Sequence, residues 1–342
     1  MNNFKELNFK SYLDKDYNAD RLIIQIESIQ RISQNTFIDE YTEQIKQCDL
    51  VIIDEIESVL NQFNSLTFKN QSKQLFEYFT ELLKYFNKCS FLDGDLSDRG
   101  YSFINSISTK QINVVNNIKM VQKIYNIVND RNQYITDIMT DLDNNNKIAI
   151  ISQSRSECDN FYKLLTEKFK DKCIKIYTSL TDDNEKHKDI NNEWFCDVLI
   201  YSPTIEAGCS FNYDHYDKIY GIICNGSTSQ RSYMQMLSRI RKVKSNEITI
   251  LNDKIFKLRE NINYYNYNDV SEEIKLYKIF EVKTEYINRD NQLLKINSFD
   301  DYSKNHIYNM IESKNKVAYY FLSKLKDIIL SKNGIFNFIE KK

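Results

Sequence analysis

The chain holds one Pro, six Gly and one Trp in 342 residues. So little Pro and Gly excludes collagen-like and glycine-rich linker architectures. Charge of one sign is lacking too. The 46 Lys and Arg nearly cancel 48 Asp and Glu, leaving a formal charge of -2. No net field draws such a chain to nucleic acid, so any DNA contact must come from loops and backbone amides. No apolar stretch approaches the ~20 residues of a membrane span, and no membrane partner is expected. The opening MNNFKELNFK has no secretory apolar region. The seven cysteines (Cys48, Cys89, Cys158, Cys173, Cys196, Cys209, Cys224) are odd in number and form no CxxC. The three histidines (His187, His215, His306) lack ligand spacing. Buried free thiols, no zinc site and a reducing compartment, cytoplasm or nucleus, are expected. What remains is ordinary: 42% hydrophobic and 27% charged residues, in a chain long enough for about two domains.

Short apolar runs alternate with longer stretches of helical spacing, which predicts parallel α/β architecture. Strands are expected at Arg21–Ile26, Leu50–Ile53, Cys89–Leu92 and Gln111–Val115, with an amphipathic helix over residues 70–88. Helical spacing over 129–143 is followed by Asn144-Asn145-Asn146, which breaks it. A second series then places strands at Lys147–Ser152, Cys173–Tyr177, Asp197–Tyr201, Lys218–Ile223 and Glu247–Leu251. Helices are expected at Arg155–Phe169 and Ser229–Ile240. Beyond residue 252 the pattern turns helical, with a long helix over Lys316–Leu330.

Three segments carry chemistry. In Cys48–Leu60 an apolar strand ends in two carboxylates. Asp54 there can hold Mg²⁺ through a nucleotide, and Glu55 can activate water; an exposed acidic turn is the bland alternative. In Asp197–Phe211 a strand leads to Thr204, a hydroxyl for a phosphate, and Gly208, which permits close backbone approach; an ordinary strand-to-loop junction reads the same way. In Ser229–Lys242 a helix would put Gln235 and Arg239 on one face. Arginine suits a developing phosphoryl charge, and a solvated basic face is the alternative.

The order of these segments resembles superfamily-two helicases. More narrowly it resembles the helicase domain of herpesvirus-type replication-origin-binding proteins. The resemblance spans about residues 10–250 and is carried by RLIIQIESIQRI (21–32), DLVIIDEIESVL (49–60), FLDGDLS (91–97), KIAIISQSR (147–155), YSPTIEAGCSF (201–211) and QMLSRIR (235–241). It implies an α/β fold of two RecA-like parallel-sheet lobes followed by a helical C-terminal extension. The first lobe, over residues 1–128, is incomplete at its N-terminus; the second covers 129–252 and the extension 253–342. It implies that Asp54 and Glu55 are the magnesium and water-activating pair, and that Asp95 and Ser97 couple hydrolysis to movement. Gln25, Ser28, Ser154 and Arg155 would touch DNA. Thr204 and Gly208 would sense DNA and nucleotide. Gln235, Arg239 and Arg241 would face the ATP phosphates, with ATP and Mg²⁺ as cofactors. The expected partners are DNA, as a single strand, and primase or other replication proteins.

Two features depart from the family pattern. No GxxxxGK[ST] loop occurs, and no Gly precedes Gly94, so the chain is expected to start inside lobe one. The last motif has Lys242 seven residues after Gln235 and Arg241 six after, which leaves open which arginine is the finger. The leading expectation is an ATP-dependent DNA helicase or translocase segment for replication initiation, active if a longer product or a partner supplies the phosphate loop. The alternatives are a non-catalytic DNA-binding or scaffold protein on a degenerate helicase fold and an unrelated α/β nucleotide-handling protein.

Overall fold

The structure, a computed structural model, describes residues 7–17, 19–32, 48–108, 112–115, 122–181, 190–205, 210–224, 227–253, 256–289 and 292–339. It divides into two compact units, residues 1–114 with 266–311 and residues 115–265 with 312–342.

The first unit opens with β1 (Lys10–Ser11) beside β2 (Leu22–Ile23), a parallel pair. A 3-10 turn, Ile26–Arg31, follows. Next come β3 (Cys48–Ile53), α1 (Ile56–Gln62), α2 (Ser72–Leu83), β4 (Phe86–Phe91) and α3 (Asp98–Ile107). Strands β3 and β4 run parallel, with Ile53 opposite Phe91. Apolar residues of α2 recur at helical spacing as Leu75, Phe76, Phe79, Leu82 and Leu83, all buried. They meet Phe63 and Phe103 in an aromatic core, with Phe63 at 5.2 Å from Phe76 and Phe79 stacked on Phe103 at 5.8 Å. Offset and edge-on rings add about 0.5–1.5 kcal/mol per pair beyond the area they bury. Two expected strands differ. The run over 21–26 pairs only at Leu22–Ile23. Residues 112–115 form no strand, and Val114 and Val115 are exposed; Gln111 lies outside the described residues.

The second unit is built on β5 (Ile124–Val128), α4 (Arg131–Asp143), β6 (Ile148–Ser152), α5 (Arg155–Lys168), β7 (Ile174–Tyr177), β8 (Val198–Tyr201), β9 (Lys218–Ile223), α6 (Gln230–Leu237) and β10 (Glu247–Asn252). Its central strands β6 and β8 are buried at every position and almost wholly apolar because both faces of the sheet are covered. Ile148, Ile150, Val198 and Ile200 point into a core shared with Tyr134, Ile138, Phe161 and Leu165 of α4 and α5. Ala149, Ile151, Leu199 and Tyr201 point the other way, into a core with Tyr233, Met236 and Leu237 of α6.

The tail adds α7 (Tyr267–Tyr277), an antiparallel hairpin β11 (Lys283–Arg289) and β12 (Gln292–Ser298), α8 (Asp301–Asn315), α9 (Ala318–Ser331) and β13 (Ile335–Ile339). It is helical as expected, with the hairpin and a last strand besides. It does not stand apart as the stretch 253–342. Residues 266–311 belong to the first unit and 312–342 to the second. Strand β13 pairs in parallel with β5, so the second unit's sheet has seven parallel strands among the described residues, ordered β13-β5-β10-β9-β6-β8-β7. The expected boundary at 128 would cut β5 from the sheet it belongs to.

Candidate functional site

In the first unit, the DEIES and FLDGDLS segments lie at the carboxyl ends of adjacent parallel strands, where ligands gather in open α/β sheets. Asp54 follows β3 and is exposed; Glu55 is half-buried. The Glu55 backbone is left-handed, φ 53° and ψ 58°, which is uncommon for a side chain with a Cβ and costs about 1–3 kcal/mol. The turn is held from both sides. Leu92 donates its N–H to Ile53 O at 2.8 Å, and Ile56 donates to Leu92 O at 3.1 Å. Glu57 donates its N–H to the Asp93 carboxylate at 3.0 Å, and Asp95 donates to the same carboxylate at 2.7 Å.

Glu57 ties the two segments together. It is 1% exposed, and its Oε1 accepts from Ser97 N at 2.7 Å, Ser97 Oγ at 2.6 Å and Gly100 N at 3.0 Å. Its Oε2 accepts from Arg99 Nε at 2.9 Å, while Arg99 Nη2 donates to Glu57 O at 2.9 Å. A carboxylate thus caps the amide end of α3, where the helix dipole favours negative charge. Asp54, Glu55, Asp95 and Ser97 are thereby brought into one knot. The sequence alone assigns Glu57 and Arg99 no role. The one signal was that Glu57 sits inside DEIES and Arg99 directly after FLDGDLS. Gln25 and Ser28 lie elsewhere in this unit, on the 3-10 turn. That turn joins the end of α1 through Gln62 Nε2 and Glu27 Oε1 at 2.6 Å. Gln25 is exposed, with its Oε1 accepting from Tyr12 Oη at 2.7 Å, but Ser28 is buried, so of the two only Gln25 has its side chain at the surface.

In the second unit, Ser154, Arg155 and Thr204 follow neighbouring strands β6 and β8 at the carboxyl end of the sheet. Arg155 opens α5 and is about half exposed, with a loose 3.8 Å contact to Asp159. Thr204 is exposed and 3.3 Å from Ser202 Oγ. Gly208 lies outside the described residues. Beneath this edge Gln153 is buried and binds three places. It accepts from Cys224 N at 2.9 Å, donates to Thr228 Oγ1 at 3.1 Å, and receives the Ser227 hydroxyl on its carbonyl at 2.6 Å. It fixes the loop entering α6 against the loop entering α5. Arg131 braces the same end by ion pairs to Glu157 at 2.5 Å and Asp253 at 2.6 Å.

The helix expected over Ser229–Ile240 ends at Leu237. Arg239 and Arg241 therefore do not continue the Gln235 face. Arg239 O accepts from Phe211 N at 2.9 Å and Arg241 N donates to Phe211 O at 2.9 Å, so this segment bridges to a neighbouring chain segment. A competing bridge captures the backbone groups that another helical turn would need. Arg239 is 6% exposed, whereas Arg241 is exposed with Nε 3.1 Å from Ser210 Oγ. Two residues on, Val243 bridges to Tyr216, just ahead of β9. Burial, and then the charge of Arg241, push the Lys123 ammonium pKa down, and Lys123 directly precedes β5. Arg241 is thus at the amino end of the sheet, and Ser154, Arg155 and Thr204 at the carboxyl end. Arg241 and the group of Ser154, Arg155 and Thr204 therefore lie at opposite ends of the same strands.

Other chemistry is sparse. Among the described residues no group of three or more His, Cys, Asp and Glu could hold a metal. Cys158, Cys196 and Cys224 are buried and Cys89 and Cys173 exposed, all free. Burial pushes the Cys158 thiol up to about 12 and the Cys196 thiol to about 11, which leaves both unreactive. Among the described residues no helix is long and apolar enough to cross a membrane.

Residues 3–96 and 87–261 match the family described as origin of replication binding protein. A protein of Acanthamoeba polyphaga mimivirus, provisionally named a replication origin-binding protein, is 33% identical over 360 residues, covering 99% of this chain and 44% of that protein. A protein of African swine fever virus, isolate Tick/Malawi/Lil 20-1/1983, provisionally named for a helicase/primase complex, is 31% identical over 234 residues. That match covers 66% of this chain and 20% of that protein. The solved Mycobacterium smegmatis helicase Lhr, bound to ssDNA and AMP-PNP, superposes with a TM-score of 0.48 at 12% identity, over 72% of this chain and 34% of that one. The chain spans less than half the length of the curated relatives it matches.

Proposed function

The chain belongs to the origin of replication binding protein family, and from that premise we propose that it forms part of an ATP-dependent DNA motor acting in replication initiation. The observation that carries this reading is the Glu57 knot. It holds the DE turn and the DLS segment as one body at the ends of β3 and β4, so a change felt at the acids reaches Ser97 and α3 without a loose joint.

In this reading Asp54 would hold a Mg²⁺ carried by ATP. The ion keeps several waters and binds through one or two carboxylates plus phosphate oxygens, so an exposed carboxylate at a strand end fits and a cage of protein ligands is not required. When bound, such an ion would supply charge neutralisation at the phosphates. Glu55 orients and deprotonates the attacking water, from a left-handed turn that fixes where its side chain starts. Asp95 and Ser97 transmit the change to α3. In the second unit the exposed Arg241 would offer its guanidinium to phosphates, whereas Arg239 is 6% exposed; the family resemblance also implies nucleotide roles for Gln235 and Gly208. In the second unit Ser154, Arg155 and Thr204 hold an unpaired DNA strand through its phosphates, in a manner largely blind to sequence and weakened by salt, and in the first unit Gln25 offers a contact of the same kind. Other replication proteins, a primase among them, are the partners this role needs.

The test is DNA-stimulated ATP hydrolysis by the longest product of the reading frame. Glu55→Gln should lower kcat about 10²- to 10⁴-fold and leave strand binding in place. No hydrolysis by the unsubstituted protein, with strand binding retained, would instead identify a non-catalytic DNA-binding module.

A further inference from the structure

Residues 256–265 and 312–331 contain none of the motif residues. There the second unit sets out a layer of tyrosines and cations. The Arg259 guanidinium lies 4.1 Å from the centroid of the Tyr319 ring. Tyr319 is 4.8 Å from Tyr320, which stands 5.9 Å from Tyr264 and 5.8 Å from Tyr265. The Lys324 ammonium is 5.3 Å from the Tyr264 ring, and that of Lys314 is 5.0 Å from Tyr265. Tyr319 is 50% exposed and Tyr265 38%.

The layer is mounted rigidly. Asn315 is wholly buried and spends its side-chain amide on the Tyr265 backbone, accepting from N at 3.0 Å and donating to O at 2.9 Å. Ser323 does the same for Arg259, accepting from N at 2.9 Å and donating to O at 3.1 Å. Gln230, at the start of α6, donates to Asn315 O at 3.0 Å. An irregular segment is therefore tied at two points to α8 and α9, so its rings are presented with little freedom to lose on binding.

Rings interleaved with cations match one polymer well. Sequence-tolerant binding of unpaired strands combines aromatic faces, on which bases stack, with positive charge along the backbone. Protein interfaces are instead depleted of lysine, and here two of the four rings carry a lysine ammonium. Among the described residues a carboxylate also meets the layer: Asp327 accepts from Tyr264 Oη at 2.7 Å.

We propose that this tyrosine–cation layer is a second single-stranded DNA surface, on which bases stack against Tyr319 and Tyr265 while Arg259 and Lys314 meet phosphates. It deepens the motor reading and rests on it for the identity of the polymer.

Fluorescence anisotropy of the full chain with labelled oligothymidylate, oligouridylate and a matched duplex tests it. Tyr265→Ala with Tyr319→Ala should weaken oligothymidylate binding at least about 10-fold, and the paired Phe substitutions should stay within about 2-fold, since stacking needs the ring and not the hydroxyl. Arg259→Ala with Lys314→Ala should reduce the salt slope by about one to two. Unchanged affinity in the paired Ala variant overturns the proposal. If that variant melts early, the Arg259 and Lys314 pair decides by the same criterion. Tighter binding of the duplex or of oligouridylate also overturns it. Arg155→Ala reads the motor assignment separately. Loss there with the tyrosine pair silent removes the second surface and keeps the motor, and the reverse result removes the motif contact and keeps the surface.

Discussion

A buried carboxylate is costly unless its charge is met. Glu57 meets its own with a buried guanidinium, two backbone amides and a hydroxyl. That leaves almost no room beside it. A Cβ at Gly100 would lie 2.6 Å from Glu57 Oε1 and 2.6 Å from Leu96 Cδ1. Gly100→Ala should therefore destabilise the first unit by about 1–3 kcal/mol, read as a lowered urea midpoint. It should do so although Ala is the better helix former, by about 1 kcal/mol; a raised midpoint would show that Glu57 is not held against this amide. The acids Asp54 and Glu55 were legible in the sequence because they end an apolar run. The Glu57–Arg99 pair was not, since its members are 42 residues apart and a lone Glu early in a helix reads as solvated. Ser28 shows the converse. Its residue type fits a phosphate contact, but only the packing of Ile29 and Ile32 around it decides that it faces inward.

Among the elements, β6, β8 and β9 could be read from sequence to within a residue or two, because strands buried on both faces must be apolar at every position. Helix α6 was overextended, because helical spacing persists past Leu237 while the Phe211 bridge ends the helix. Strand β13 escaped notice. Its alternation Ile335-Phe336-Asn337-Phe338-Ile339 is short and follows helical text, although Asn333, left-handed at φ 59°, and Gly334 mark the turn into it. It covers the outer edge of β5, and its Phe336 and Phe338 pack on the sheet's core. Ending the chain at Asn333 should cost about 2–5 kcal/mol from lost aromatic burial. It should also promote self-association, because an uncovered strand edge pairs with other chains. Size-exclusion chromatography and thermal melts of the shortened protein check both; a monomer melting as the full chain does would refute the assignment.

The two units differ in how their sheets are protected. In the second, β6, β8 and β9 lie inside seven strands with both faces covered. In the first, β3 and β4 pair only with each other among the described residues, and Leu50 and Ile52 are exposed. Amide hydrogen exchange should therefore be slowest in Ile148–Ser152, Val198–Tyr201 and Lys218–Ile223, and faster in Cys48–Ile53 by about two orders of magnitude or more, because opening a two-stranded pair is local. Equal protection in both would show that they open as one. The α/β class, the order of the motifs and the acids and arginines that carry the family resemblance follow from the unfolded text, because apolar periodicity and motif spacing are local properties of the chain. That Glu57 knots two motifs, and that the contact candidates and Arg241 occupy opposite ends of one sheet, emerges from the folded chain alone. The fold alone divides the tail between two bodies. Burial, hydrogen-bond closure and strand partnership are relations between residues far apart in the chain, and no local pattern encodes them.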